Sequence, residues 1–319
     1  MSKRVLITGG AGFIGSNLAR RCVDEGYKVV VVDNLSNGHR EFLPYGLDEF
    51  WEDDFSAEWV LGVVSSGVFD TIFHVAAVPR VSYSVEHPIE TNETNVSKTL
   101  ALIDAAKEKT RRFIFSSSSS VYGGADVLPT PETEPFNAKS PYALQKVIIE
   151  QYLKLYHDIY GLDSCSLRYF NVFGPNQLGD SPYATAVSAW LTAIFKGGEC
   201  RSDGNGGQSR DMCYVDNVVE ANMLAMKKSS YLGAESYNVA CGDSTTNNEI
   251  LEHLKERFGN KVKVKNAPWR PGDVMHTQAD ITKIHNDLGY DVKVRFWDGL
   301  DRTIAWFEGS KLAKLNGKV

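Results

Sequence analysis

Arg4-Val5-Leu6-Ile7-Thr8-Gly9-Gly10-Ala11-Gly12-Phe13-Ile14-Gly15 runs a short apolar segment into a glycine turn and then into a helical pattern. The apolar part reads as a buried strand. Gly9 permits a tight turn, Gly12 lets a pyrophosphate approach the backbone, and Gly15 lets the following helix lie close on the strand. The amides at the helix start, around Phe13 and Ile14, face the phosphates with the helix dipole behind them. The spacing is G-x-x-G-x-x-G, a variant of the dinucleotide fingerprint, and its context strengthens it. Lys28–Asp33 is a second apolar run ending on a carboxylate. Asp33 is placed there to bond both ribose hydroxyls and to repel a 2′-phosphate, which selects NAD over NADP.

The same rhythm continues outward. Arg4–Thr8, Lys28–Asp33, Asp48–Glu52, Asp70–His74, Arg112–Ser116 and Ser164–Arg168 read as strands, and several are rich in Val, Ile or Phe, as strands buried on both faces are. Phe13–Glu25, Ala57–Val64, Pro88–Lys109 and Pro141–Tyr160 read as the helices between them. This alternation predicts an α/β chain with a doubly wound parallel sheet. After Phe170 the pattern loosens, with Gly- and Asn-rich stretches, a strand at Ser236–Ala240 and a helix at Thr246–Phe258 capped by Thr245 or Thr246. Residues 1–170 are therefore expected to form a Rossmann core. Residues 171–319 are expected to form mainly a smaller, interleaved C-terminal substrate-binding domain, with some segments returning to the core. The helix Pro141–Tyr160 is apolar on more than one side, which fits a second copy of the chain or burial within one domain equally well.

Composition narrows the function. The 319 residues are 43% hydrophobic and carry a net charge of -6, which disfavours a nucleic-acid surface and favours a small-molecule partner. No apolar run approaches the roughly 18 residues of a membrane helix. The five cysteines (Cys22, Cys165, Cys200, Cys213, Cys241) are scattered and form no C-x-x-C, so reduced thiols in a cytoplasmic protein are expected. The histidines show no metal-ligand spacing, and no metal site is expected.

Two further stretches carry chemistry. Ser116-Ser117-Ser118-Ser119-Ser120-Val121-Tyr122-Gly123 follows the fifth strand, and Ser140-Pro141-Tyr142-Ala143-Leu144-Gln145-Lys146 opens the long helix. The i, i+4 spacing puts Tyr142 and Lys146 on one helical face. A lysine there lowers the phenol's pKa, and a nicotinamide cation lowers it further. Alone, Y-x-x-x-K is a common pattern and a serine run is usually a solvated loop; downstream of the glycine turn, the two together point to catalysis.

With these residues the chain resembles the extended short-chain dehydrogenase/reductase family, and within it the nucleotide-sugar epimerases, over nearly its whole length. The similarity includes Asp33-Asn34-Leu35-Ser36-Asn37-Gly38, His74-Val75-Ala76-Ala77, Asn95-Val96, Arg168-Tyr169-Phe170-Asn171-Val172-Phe173-Gly174-Pro175, Ser209-Arg210-Asp211 and Arg270-Pro271-Gly272-Asp273-Val274. The nearest pattern is the UDP-N-acetylglucosamine/UDP-glucose 4-epimerase branch. The resemblance implies Tyr142 as base, Lys146 as its partner and ribose anchor, and Ser118 as the hydroxyl on the sugar C4 oxygen. It implies cofactor contacts from Asn34, Ser36, Asn37, Gly38, Ala76, Ala77, Asn95 and Ser116, and adenine-side contacts from Asp54 and Phe55. Ser119 and Ser120 would line the sugar pocket. Asn171, Arg210 and Arg270 would grip the UDP diphosphate, and Asp273 the nucleotide ribose. Thr277 resembles a gate whose small size admits a 2-N-acetyl group. Pro79, Arg80, Asn176 and Asn205 depart from the common pattern, which bears on sugar preference more than on chemistry.

The activity so implied is inversion of C4 in a UDP-hexose, UDP-GlcNAc/UDP-GalNAc and also UDP-Glc/UDP-Gal, through a transient 4-keto sugar, by a homodimer. UDP-glucuronate is an alternative substrate. A 4,6-dehydratase or decarboxylase usually has an acidic residue just after the serine, where this chain has Ser119 and Ser120. An NAD-sensing protein without turnover would lack Tyr142 or Lys146, and a net dehydrogenase would release reduced cofactor each cycle.

Overall fold

The computed structural model describes residues 3–179, 185–269 and 274–310. Its centre is a seven-stranded parallel sheet made of β1 (Arg4–Thr8), β2 (Lys28–Val32), β3 (Glu49–Trp51), β4 (Thr71–His74), β5 (Arg112–Ser118), β6 (Ser164–Tyr169) and β7 (Glu235–Val239). The strand order is β7-β6-β5-β4-β1-β2-β3. The order reverses beside β1, so the glycine turn leaves the sheet at the crevice where such folds bind ligands. Apolar residues fill both faces. Val5, Ile7, Val29 and Val31 pack into one layer, and Leu6, Val30, Val32 and Ile72 into the other.

The predicted strands lie where the sequence placed them, with shifts of one or two residues at their ends. Two differences matter. β5 extends past Ser116 to Ser118, because Ser117 and Ser118 pair in register with Arg168 and Tyr169 of β6. The run Pro88–Lys109 is not one helix. Pro88–Asn92 and Thr99–Ala106 are α-helical, and Glu93–Lys98 between them widens to a π turn.

The strand predicted near Ser236 is Glu235–Val239, which pairs with β6 and so brings a late segment to the edge of the central sheet. The other late strands are short. Val172–Phe173 pairs with Cys213–Tyr214, Ser209–Arg210 with Thr245–Thr246, and Glu199–Asp203 with Lys263–Ala267. Thr246 caps the helix Asn247–Phe258 in a reciprocal capping box with Glu249. The five cysteines are free and buried. Among the described residues no helix is long and apolar enough to cross a membrane.

Candidate active site

The glycine turn explains itself when a methyl group is imagined at each position. At Gly15 it would lie 2.2 Å from the carbonyl oxygen of Gly9, and at Gly9 2.8 Å from the backbone of Ala76. Those two glycines are required by the protein's own packing. At Gly12 the same methyl group would approach only the Gly9 oxygen, at 3.2 Å. Gly12 is also the N-cap of the helix Phe13–Asp24, and no side chain caps it. The amides of its first turn are therefore left for a ligand, with open space above them.

Asp33 follows β2 directly. Its carboxylate accepts from the amides of Ala11 (2.9 Å) and Leu35 (2.8 Å), which joins the glycine turn to the loop after β2. Burial pushes its pKa up and the two amides oppose the shift. Asn34 accepts from the Ser36 amide, and Leu35 turns with φ 57°. Only glycine fits at position 38, where a Cβ would sit 2.8 Å from the Asp33 carboxylate. The open cradle at Gly12, with a buried carboxylate one strand away, suits a dinucleotide without a 2′-phosphate.

Thr8, at the end of β1, ties the second loop down. Its hydroxyl bonds His74 Nδ1 (2.8 Å) and accepts from the Ala76 amide (3.2 Å). His74 Nε2 reaches Thr99 (2.9 Å), and complete burial pushes its pKa down to about 3, so the ring is a neutral strut. Among the described residues there is no cluster of potential metal ligands.

The serine run and the long helix meet, as the family resemblance implies. The Ser118 hydroxyl neighbours Tyr142 and favours the ionised form of its phenol. Lys146 donates to the Ser116 carbonyl (2.7 Å), with its ammonium 4.6 Å from the Phe115 ring centroid and 5.7 Å from that of Tyr142. The electrostatics differ from the expectation. Burial pushes Tyr142 up to about 12, although the neighbouring Ser118 hydroxyl opposes it. Burial also brings Lys146 down to about 7, opposed by Glu150. In the protein alone desolvation outweighs any help the lysine gives the phenol. Ser119 and Ser120 form the tight turn after β5, and the buried Ser120 hydroxyl has no hydrogen-bond partner among the described residues.

Asn171, Arg210 and Thr277 are brought together. Asn171 Nδ2 donates to Thr277 Oγ1 and to the Asp211 carbonyl, both at 3.3 Å, and Arg210 is held by the carbonyls of Ser209 and Met275. Arg270 and Asp273 lie outside the described residues. Three expected cofactor contacts have other partners. The Asn95 amide is spent clamping both backbone groups of Val78 and the Gln145 side chain. Asp54 is bound by Lys98 (2.7 Å) and Ser56, while Phe55 is buried edge-on against His74.

Several residues that organise the site were given no role by the sequence. Ser84 accepts from the Tyr142 amide (3.0 Å), and Gln145 bridges Thr91 and Asn95. Buried Asp211 collects the amides of Cys241, Gly242 and Ala279, and so fixes the segment that carries Thr277. Each acts across a long sequence separation, and residue type alone does not reveal such partners.

Fold and site together define a dinucleotide-dependent α/β enzyme. The model of the NAD dependent epimerase/dehydratase family matches residues 5–240, and the chain belongs to that family, whose cofactor is NAD. A UDP-glucose 4-epimerase of Mycolicibacterium smegmatis is 33% identical over 95% of this chain and 98% of its own length. Two solved structures superpose with a TM-score of 0.90 at 37% identity, each covering 96% of this chain and 98% of the other. One is a UDP-glucose 4-epimerase from Thermotoga maritima with UDP-glucose; the other is a UDP-N-acetylglucosamine 4-epimerase from Methanobrevibacter ruminantium M1 in complex with UDP-N-acetylmuramic acid.

Proposed function

We propose that the protein inverts C4 of a UDP-hexose, with UDP-GlcNAc/UDP-GalNAc as its principal pair and UDP-Glc/UDP-Gal also accepted. The observation that carries this reading is the meeting of Ser118 with Tyr142, and of Ser116 with Lys146, beside an open glycine cradle. NAD, when bound, supplies a reversible hydride acceptor for C4, so that a 4-keto sugar forms transiently and is reduced on its other face. Gly9, Gly12, Gly15 and Asp33 hold that cofactor. Tyr142 Oη takes the proton of the C4 hydroxyl and returns it to the C4 oxygen of the product. Ser118 Oγ hydrogen-bonds the same oxygen as its charge changes. Asn171 and Arg210, with Arg270 and Asp273, keep the UDP end fixed while the sugar turns. In this reading residues 1–170 are the cofactor half and residues 171–319 mainly the substrate half.

Thr277 supports the N-acetylated sugar. Its side chain is small, and Asn171 holds its hydroxyl. A tyrosine there would fill that space. Thr277→Tyr should abolish turnover of UDP-GlcNAc and spare UDP-Glc; undiminished N-acetyl turnover would overturn the assignment. Offering UDP-GlcNAc, UDP-Glc and UDP-glucuronate separately, and following the C4 proton by NMR, tests the reaction itself. Inversion without added NAD supports it. A 4-keto-6-deoxy product would show a dehydratase, and turnover of the uronate alone would move the substrate to UDP-glucuronate.

A homodimer in the cytoplasm fits the surface of the long helix. Leu144, Leu155, Ile159 and Tyr160 are exposed on it, and Val85 and Ile89 are exposed on the neighbouring short helices. Exposed apolar side chains clustered on such elements are what a protein contact would cover.

A further inference from the structure

One turn beyond Lys146, on the same helix, Glu150 is buried at 5% exposure. Its carboxylate accepts from Ser117 Oγ (2.5 Å) and Ser236 Oγ (3.1 Å), and from Arg168 through Nη2 (2.6 Å) and Nε (3.1 and 3.2 Å). Arg168 is equally enclosed. Its other nitrogen donates to Tyr122 Oη (2.8 Å) and the Glu132 carbonyl (3.2 Å), and its guanidinium lies over the rings of Tyr122 and Phe136. A buried ion pair of this kind costs several kcal/mol of desolvation per ion, so its presence calls for a role beyond stability.

Its position supplies one. Two of the three successive serines at the end of β5 are fastened to different turns of the long helix, and the third faces it. The Ser116 carbonyl takes Lys146, Ser117 bonds Glu150, and Ser118 neighbours Tyr142. We propose that Glu150, braced by Arg168, is a positioning residue for the reaction: it locks the strand that carries Ser118 to the helix that carries Tyr142 and Lys146, and it sets a fixed negative charge one turn from Lys146. The other titratable groups packed around Lys146 are Tyr142 on its own helix and His74 at the end of β4, and burial keeps both neutral. Among the described residues Glu150 is the anion that acts on this lysine. The strand lock and the charge are separable, because Ser117 carries the first without the second.

The role of Glu150 rests on the reading of Tyr142 and Lys146 as the reacting pair, so the test has one readout that needs no turnover. Ser117→Ala removes only the lock, and Glu150→Gln keeps much of the shape but removes the charge. In Ser117→Ala, kcat should fall about ten-fold with KM for the UDP-sugar little changed, the worth of one charge-assisted hydrogen bond lost from the aligned state. The Lys146 NMR titration, followed with lysine labelled at Cε and identified by its loss in Lys146→Arg, should keep its midpoint. In Glu150→Gln that midpoint should move to lower pH, because the lysine loses the anion that favours its charged form. A Ser117→Ala enzyme with wild-type kcat overturns the lock, and that result stands even if Glu150→Gln fails to fold. A folded Glu150→Gln protein with an unmoved Lys146 midpoint overturns the charge. If the wild-type protein turns over none of the UDP-sugars, the reaction assignment fails instead, and the lysine titration still decides whether Glu150 acts on Lys146.

Discussion

Alanine at two of the three glycines should separate what the fold needs from what the cofactor needs. At Gly15 the new methyl group would sit 2.2 Å from the Gly9 carbonyl oxygen and 2.8 Å from Gly10 Cα. That is roughly 1 Å inside contact with backbone that has no rotamer to yield. Alanine regains about 1 kcal/mol of helix propensity, but overpacking of this kind costs about 1–3 kcal/mol or more. Gly15→Ala should therefore lower stability by about 1–2 kcal/mol and open the turn. Gly12 has φ -83° and ψ -177°, an extended conformation that alanine adopts without strain. Its methyl group meets only the Gly9 oxygen, at 3.2 Å. The gain from a stiffer unfolded chain, about 0.4–1 kcal/mol, offsets that contact, so the protein without cofactor should unfold within about 1 kcal/mol of wild type. The methyl group nevertheless fills the approach to the first-turn amides. Losing two amide–phosphate hydrogen bonds at about 1.5–3 kcal/mol each lowers NAD affinity by more than about a hundred-fold. Urea unfolding of nucleotide-stripped protein and calorimetric titration with NAD measure the two quantities. A Gly12→Ala protein that binds NAD like wild type, or loses as much stability as Gly15→Ala, would refute the assignment of Gly12 to the cofactor.

His74 should make stability depend on pH. Its folded pKa of about 3 lies below the unfolded value, so its contribution is full above about pH 6.5 and is lost as pH falls, by about 2 kcal/mol at about pH 5. His74→Gln should flatten that part of a urea-midpoint profile, and an unchanged slope would show that His74 is not its source. Arg112 is 1% exposed, pairs with Asp163, and donates to the carbonyls of Ala225, Lys228 and Ser230. Arg112→Met strands that carboxylate and should cost about 3–5 kcal/mol in urea unfolding; a loss below about 1 kcal/mol, the scale of a surface ion pair, would contradict the burial. Light scattering should find a dimer that Leu155→Glu with Ile159→Glu dissociates, and a monomeric wild-type protein at micromolar concentration would count against the apolar surface as a contact.

The sheet was legible because its strands are buried on both faces. Val29–Val32 and Leu6–Ile7 are continuous apolar runs with no other stable home. Legibility failed where pairing or a side-chain clamp overrides composition. Ser117 and Ser118 are strand because β6 offers them partners, although a serine run by itself favours a loop. The helical run after Pro88 widens at Glu93–Lys98, where the Asn95 side chain leaves the helix surface to hold Val78 and Gln145. The two-residue ladders of the later half are too short for any periodicity to mark them, yet they bring Arg210 and Thr277 beside Asn171.

The site shows the same division between spacing and environment. Spacing alone put Tyr142 and Lys146 on one helical face, because a helix has fixed geometry, whereas Ser118 was singled out only by the family resemblance. What spacing could not supply was the sign of the phenol's shift. The lysine is itself desolvated, and its ammonium is turned onto the Ser116 carbonyl, 5.7 Å from the tyrosine ring centroid. Tyr142 at about 12 and Lys146 at about 7 are therefore a pair that burial holds close to neutral. A phenol in that state is no base at neutral pH. The missing stabilisation of its anion has to come from positive charge brought to the site. The nicotinamide ring of NAD, once bound, would bring such charge, and under the proposed role of Glu150 a charged Lys146 would add to it. With Tyr142 as the proposed base, proton removal is tied to cofactor occupancy, and a UDP-sugar offered to cofactor-free protein should be left unchanged.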